Sequence, residues 1–565
     1  MRIEWQSPAG GLWELESTHI QGGQPRVFQE LAPRAFRDRF RETAARYGLP
    51  VDYVDVRFVN DHCYARMRPV GAPEPKPGHP SKAPPALVLK VLARVHPELR
   101  RRARAARRAI DQKLWHEDRL RWEDEGRAEL FAAARALQAE PIEELDDDAL
   151  VDHLRRAADH LERGIGTHFA LLPIHNVPVG RLLLACRDWG IAPGDVFDLL
   201  AGSSPASTAS LAGLRRIARA LADAGVEPRT LDDVRTASTE AAAALDDYLA
   251  DHGWRVVTQY SPRGLALIEL PRVLLQAITT AAADGGPPRR VDVESVRDRL
   301  PAADQARFDD LLADARACYG VRDDNVALTF MWPSGLVRRA LLETGRRLVE
   351  RRLLHDTTHV FALGQAEIAA ALAGDTTLGA EAAARTAHIQ AAEADGPPAQ
   401  LGDDEGPPPD PKLFPAAIAE LLGAVLMEFE LEQAFKTQVV EVASWTGEGA
   451  GVGAASYTGR ACVAATAEEA LDRLQAGDVL ITAHTTPAFE AIICVAGALV
   501  TDHGGLMSHA ALVCREHGIP AVVGVTAATT HIPDGATVTV DPAAGRVAIG
   551  GALPKEATAS RRAAR

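Results

Sequence analysis

Cysteine is scarce in this chain and follows no pattern: six residues among 565, at Cys63, Cys186, Cys318, Cys462, Cys494 and Cys514. No CxxC pair and no Cys/His spacing suited to zinc occurs, which excludes a structural zinc site and a disulfide framework and fits reduced thiols in a cytoplasm. The N-terminus, "MRIEWQSPAGG", lacks an apolar signal core, and no run approaches 18 apolar residues. Neither secretion nor membrane spanning is therefore expected. Lysine is sparse beside abundant alanine and arginine, a bias expected of a GC-rich bacterial genome. Net positive charge is lacking too: the formal charge is −15, which argues against nucleic acid or an anionic membrane as the main partner. The basic stretch 95–114, "RVHPELRRRARAARRAIDQK", is local and reads as a solvated helix face or, alternatively, an anion-binding patch. There is no P-loop GxxxxGK[ST] and no internal repeat.

What is present is ordinary globular composition, 47% hydrophobic and 25% charged, in a chain too long for one core. Residues 1–85 mix strand-like runs such as "VDYVDVRFV" (51–59) with turns and a Pro-rich loop at 70–85. From 86 to 390 apolar residues recur at spacings of three and four, the signature of helices. The stretch 392–415, rich in Pro, Gly and acid, reads as a linker, followed by a helix to about 436. From 437 to 550 short apolar strands alternate with helices and Gly/Asp/Pro turns, a compact α/β pattern, and 551–565 reads as a disordered tail. The expected fold is thus multidomain: a mostly helical α+β domain over 1–390, a linker and helix at 391–436, and an α/β domain at 437–550.

One stretch of the C-terminal part carries chemistry: "TDHGGLMSHAALVCREHGIPAVVG" (501–524). A strand ends before the Gly504–Gly505 turn, Ser508 is placed to cap a helix, and His509 then falls in its first turn. Gly518 closes that helix. Glycines admit a close approach of backbone to phosphate, and the N–H groups and dipole of a helix N-terminus favour an anion. A histidine there suits phosphoryl carriage on a ring nitrogen, with Gly504, Gly505 and Ser508 as phosphate-binding neighbours. His503 reads as a polar turn residue and His517 as a partner of the terminal carbonyls.

Residues 477–524, with the core GGxxSHAA and the following RExGIPAVxG, resemble the swivelling phosphohistidine domain of phosphoenolpyruvate-utilising enzymes such as pyruvate phosphate dikinase and phosphoenolpyruvate synthase. "GVGAASYTGRACVAAT" (451–466) and "TTPA" (485–488) fit the same domain. In that resemblance His509 is the phosphorylated residue. More loosely, "GLWELESTHI" (11–20), "HGWRVVTQYSPRGLALIELP" (252–271), "VRDDNVALTFMWPSGLVRRALLETGRRLV" (321–349) and "THVFALGQAEI" (358–368) resemble the substrate-binding part of rifampicin phosphotransferase, with "GWR" where that family usually has "GHR". The resemblance implies a relay. An ATP-grasp domain, using ATP and Mg2+, phosphorylates the histidine, which swings to a helical domain and phosphorylates a hydroxyl. The ATP-grasp domain is expected as a separate partner protein, as phenylphosphate synthase divides the machinery among subunits, and no cofactor or metal is expected on this chain itself.

Phosphorylating a hydroxyl needs cations over the phosphate. Arg338 falls where related enzymes tend to carry a basic residue and is the favoured phosphate ligand; the alternative is a surface arginine paired with Glu343 or Glu350. Arg322 and Arg339 are further candidates for the same cleft. His168 and His175, embedded in the apolar, twice-proline-broken run "THFALLPIHNVPVG" (167–180), either line a substrate pocket or serve core and cap roles. His19 is a weaker candidate. The expected activity is ATP-dependent phosphoryl transfer through His509 to a hydroxyl of a small, hydrophobic or natural-product acceptor. The alternatives are a phosphorylation-coupled dehydratase, a phosphohistidine carrier without its own substrate, and a ligand-binding protein.

Overall fold

The computed structural model describes residues 3–16, 20–74, 84–203, 205–282, 292–403, 406–433 and 445–550. The chain forms two compact units, one of Met1–Arg181, Asp246–Glu269 and Leu311–Val425, the other of Leu182–Leu245, Leu270–Asp310 and Leu426–Arg565. These boundaries do not coincide with those expected at 390 and 437. The helical stretches 182–245 and 270–310 cluster with the C-terminal α/β part, a grouping set by contacts far apart in sequence that helical periodicity does not encode.

The first unit holds a four-stranded antiparallel sheet of β1 (Trp13–Leu15), β2 (Val51–Val59), β3 (His62–Pro69) and β4 (Gln400–Leu401), in the order β2-β3-β1-β4. β2 and β3 are joined by a tight turn at Asn60 and Asp61, both at positive φ, as short hairpin connections require. Helix α1 (Arg26–Tyr47) packs on β2. Helices α2 (Ala86–Val95) and α3 (Pro97–Asp111) follow.

Strand β4 lies inside the stretch expected to be a linker. Leu401 pairs with Trp13, the Leu15 N–H donates to the Ala399 carbonyl at 2.9 Å, and the Tyr64 hydroxyl donates to the Pro398 carbonyl at 2.8 Å. Leu401 and Phe414 are buried. The prolines that suggested a tether stand beside residues stitched into the sheet. A two-residue strand leaves no alternation from which a sequence reading can find it.

The long helix Asp147–Asp188 runs through Pro173 and Pro178 without ending, although the sequence suggested a broken run. Each proline removes one N–H donor, a loss that surrounding packing offsets. Gly164 of this helix lies so close to the Thr329 carbonyl that an added Cβ would stand 2.2 Å from the oxygen. By length and hydropathy this helix is able to cross a membrane, but 78% of its apolar window is buried inside the protein. That is the pattern of a core helix. A second continuous helical run, Val321–Val326, a π-turn at Ala327–Met331 and Trp332–Glu350, packs in the first unit.

The second unit is built on an eight-stranded sheet: β5 (Thr446–Glu448), β6 (Ala450–Val452), β7 (Tyr457–Val463), β8 (Val479–Thr482), β9 (Ala498–Thr501), β10 (Ala521–Val523), β11 (Thr537–Asp541) and β12 (Arg546–Ile549), in the order β5-β12-β11-β7-β8-β9-β10-β6. β7, β8, β9 and β10 run parallel, and the flanking strands are antiparallel. All four residues of both β8 and β9 are buried, as parallel strands covered on both faces demand. The crossovers are helices, Ala467–Arg473 after β7, Glu490–Ile493 after β8 and His509–His517 after β9. The six cysteines are free thiols, five buried and Cys494 half-buried. The expected tail at 551–565 and His19 lie outside the described residues.

Candidate functional site

The loops that leave the carboxyl ends of β8 and β9 lie side by side, where open parallel sheets place their ligands. Each strand ends in a threonine whose hydroxyl folds the loop back: Thr482 donates to the His484 carbonyl at 3.3 Å, and Thr501 to the His503 carbonyl at 2.8 Å. The His503 N–H donates to the Ala483 carbonyl at 2.9 Å, tying the loops together. His503 is thus the turn residue expected of it. Asp502 accepts from the Thr529 N–H at 2.8 Å and from the Thr529 hydroxyl, which fixes the start of the glycine turn.

Gly504 sits at φ +110°, and an added Cβ would lie 2.9 Å from both Cβ and Oγ of Ser508. Only glycine satisfies that conformation and that closeness. Ser508 is the N-cap of the helix His509–His517, its Oγ accepting from the Ala511 N–H at 3.3 Å, and its N–H donates to the Gly505 carbonyl at 3.0 Å. The Ser508 hydroxyl therefore holds the helix end. As a cap it is worth about 1 kcal/mol of helix stability, and, because Oγ only accepts in that bond, its O–H is left to donate.

His509 is the first helical residue, half-buried, at the mouth toward which the first-turn N–H groups point. Its Nδ1 is 3.0 Å from the Thr485 hydroxyl, on the loop after β8. Thr485 orients the imidazole across two loops that 24 residues separate. In sequence the "TTPA" run fits the domain but carries no sign of this role for Thr485, because the pairing of β8 with β9 creates it.

At its other end the helix closes on Gly518, in left-handed conformation, whose N–H faces the Cys514 and Arg515 carbonyls, while the Ile519 N–H donates to the Cys514 carbonyl at 2.8 Å. Backbone groups, and not His517 as expected, satisfy these carbonyls. His517 is half-buried near Arg215, and burial first, then that charge, lowers its pKa. Arg515 is buried. Its Nε donates to Asp198 at 2.9 Å, its guanidinium lies over the Phe197 ring at 5.3 Å, and Nη1 reaches the Leu506 carbonyl at 3.4 Å. The helix Pro193–Leu200 thereby braces both the histidine helix and its glycine turn. Arg515 opens the RExGIPAVxG match but carries no role in it, and Asp198 stands in no motif; their separation of 317 residues hides the pair.

The candidates on the substrate side lie in the first unit and divide into two groups. His168, His175 and Arg322 come together where the helix Asp147–Asp188 meets Val321–Val326. His168 Nδ1 is 3.1 Å from Asn325 Oδ1, and its ring lies edge-on to Phe330. His175 is buried and kept neutral: desolvation first, then the charge of Arg322 and the nearby His168, hold its pKa well below the usual value. Arg338 and Arg339 have other occupations. Arg338 is buried, in a two-point pair with Glu269 at 2.6 and 2.9 Å, and Nη1 donates to the Pro262 and Arg263 carbonyls at 3.3 and 3.2 Å. It is not the surface arginine of the alternative reading; Arg346 is the residue that pairs with Glu343 and Glu350. Arg339 donates to the Gln138 and Glu140 carbonyls at 2.7 and 3.0 Å. Both guanidinium groups tie helices together within the unit. Among the described residues no group of three or more His, Cys, Asp and Glu side chains is arranged to hold a metal ion.

Residues 474–545 match the family model described as "PEP-utilising enzyme, mobile domain". A phosphoenolpyruvate synthase of Aeropyrum pernix is 48% identical over 100 residues, covering 18% of this chain and 12% of that protein. The uncharacterized phosphotransferase YvkC of Bacillus subtilis is 30% identical over 229 residues, 40% of this chain and 25% of that protein. Chondramide synthase cmdD of Chondromyces crocatus is 26% identical over 597 residues, 97% of this chain and 14% of that protein. The chain spans at most a quarter of the length of these relatives. The C-terminal α/β part thus contains a PEP-utilising enzyme mobile domain.

Proposed function

We propose that this chain moves a phosphoryl group through His509 to a hydroxyl of a small organic acceptor. The observation that carries this reading is His509 at a helix mouth behind the Gly504–Gly505 turn, its Nδ1 3.0 Å from the Thr485 hydroxyl. In the tautomer with the proton on Nδ1, that N–H donates to Thr485 Oγ and the Nε2 lone pair is the nucleophile. The Nε2–P bond forms as the β-phosphoryl leaves ATP, one of its P–O bridges broken by Nε2 and the other by water, with AMP and phosphate released. The Nε2–P bond then breaks as the acceptor oxygen, its proton passing to solvent, bonds to phosphorus and Nε2 leaves with its lone pair. The N–H groups and dipole of the helix end stabilise the phosphoryl oxygens while they wait.

In this reading the phosphoryl donor is ATP with Mg2+ on a separate ATP-grasp protein in the cytoplasm, in line with the family resemblance of the sequence. The acceptor is hydrophobic or a natural product. The similarity of 97% of this chain to a stretch of a chondramide synthase supports that class, and the first unit, with His168, His175 and Arg322 gathered on its central helices, is where the acceptor binds. A pulse-chase experiment tests the proposal. The chain is loaded with ATP labelled at the β-phosphoryl and an ATP-grasp protein, freed of nucleotide, and chased with a panel of hydroxyl compounds. Label should pass to an organic phosphate ester with one of them. Label that leaves only as inorganic phosphate, at one rate with every compound, would remove the acceptor half of the reading.

A further inference from the structure

Helix α2 turns its apolar side to solvent. Of its ten residues only Leu89 and Ala93 are buried, whereas Leu87 is 75% exposed and Val95 59%, with Val88, Val91 and Leu92 between them. Five of the seven exposed large apolar side chains among the described residues lie on this one helix. An apolar stripe of that density on a soluble surface marks a place of contact. Two shallow grooves run along it. One of about 320 Å³ is lined by Leu87, Lys90, Val91, Arg94 and Val95. The other, of about 260 Å³, continues over Arg94 toward Arg100, Arg104 and Pro415.

The rim of these grooves is cationic. Between residues 86 and 108 eight Lys and Arg side chains stand against one carboxylate, Glu98, in a chain whose net charge is −15. Glu98 is already taken by Arg101 and Arg102. Lys90, Arg94, Arg100 and Arg104 meet no carboxylate among the described residues. The charge pattern on its own suggests a solvated helix face. The apolar stripe beside it does not fit that reading.

We propose that α2 and the start of α3 form the docking surface for an acidic amphipathic helix of a partner protein. Ten helical residues span about 15 Å, the length of nearly three turns of an incoming helix. Its apolar face would lie along Leu87, Val91 and Val95, with its carboxylates reaching Lys90 and Arg94 on one side and Arg100 and Arg104 on the other, a helix-in-groove mode. A second copy of this chain fits poorly, because a two-fold contact would set Lys90 and Arg94 against their own counterparts. A lipid surface fits less well: the stripe carries no Trp, Tyr or Phe, the aromatic side chains enriched at membrane–water interfaces.

The test is a displayed library of helices with apolar positions fixed at i, i+3, i+4 and i+7 and outward positions drawn from acidic, basic and neutral residues, selected on the full chain. Enriched helices should carry an excess of Asp and Glu. As synthetic peptides they should bind about tenfold or more weaker to Val91→Asp and to the double variant Lys90→Glu/Arg94→Glu, and weaken similarly at about 0.5 M salt. Leu87→Ser, at the most exposed position of the stripe, serves if Val91→Asp fails to fold. No enrichment, enrichment without acidic excess, or binding indifferent to these substitutions overturns the proposal. So does sedimentation of the chain with phosphatidylserine vesicles, or a concentration-dependent dimer, if Leu87→Ser abolishes it.

Discussion

Replacing Thr485 by valine removes one hydroxyl and keeps the side-chain shape, so it isolates the contact at 3.0 Å to His509 Nδ1. The Thr485→Val variant should keep its fold, because the half-buried threonine sits on a loop and contributes no strand pairing. For a neutral imidazole the lost hydrogen bond is worth about 0.5–1.5 kcal/mol, and about 1.5–3 kcal/mol once the ring carries positive charge as phosphorus bonds to Nε2. The barrier rises by the difference between the two, about 1–1.5 kcal/mol. Each 1.4 kcal/mol is about a factor of ten, so phosphorylation of His509 should slow by about tenfold. Thr485→Ser, which restores the hydroxyl, should recover most of the rate. Rapid-quench labelling with the phosphoryl donor and its partner measures this. Nitrogen NMR of His509 in the unphosphorylated variant should show the Nδ1-protonated tautomer losing its predominance. A Thr485→Val protein labelled at the wild-type rate, with an unchanged tautomer, would refute the orienting role.

Three further outcomes follow from the same geometry. Arg338→Ala leaves Glu269, about a quarter exposed, without its two-point partner, and should cost roughly 2–4 kcal/mol in chemical denaturation while His509 labelling stays normal; a variant of normal stability that loses acceptor transfer would put Arg338 at the phosphate instead. Gly504→Ala forces a Cβ against Ser508 at a left-handed φ and should cost about 1–3 kcal/mol of folded-state stability, read in chemical denaturation together with a large drop in His509 labelling; a variant with normal stability and labelling would contradict the need for glycine there. His160 is buried and its pKa is lowered to about 4, by desolvation first and then by Arg163. The unfolded chain therefore binds a proton between pH 6.5 and 4 that the folded one refuses, and stability falls as pH drops through that window. His160→Leu should flatten this acid limb by about one proton's worth of slope, about 1.4 kcal/mol per pH unit; an unchanged slope would contradict the burial argument.

The histidine helix was legible because its signals are local. Ser508, Gly518 and the glycine pair each act within a few residues of His509, and the short buried runs of β8 and β9 announce themselves by composition. What the sequence withheld is non-local. Thr485 finds His509, and Arg515 finds Asp198, only after β8 and β9 pair and the helix Pro193–Leu200 packs. Arg338 reads the same whether its helix turns it outward or, as here, against Glu269, since the helical spacing of arginines does not tell a buried face from a wet one. Pro173 and Pro178 punctuate a run that tertiary packing nonetheless keeps helical. β4 hides in a proline-rich stretch because its two residues are ordered by β1 and not by any pattern of their own.

The central claim is that His509 carries the phosphoryl group on Nε2. The chain, labelled with nitrogen-15 in its histidines and phosphorylated by its donor at neutral pH, should show one acid-labile phosphorus signal coupled to Nε2 of His509 and none in His509→Ala. Phosphorus on another residue, on Nδ1 of His509, or undiminished in His509→Ala would contradict the account.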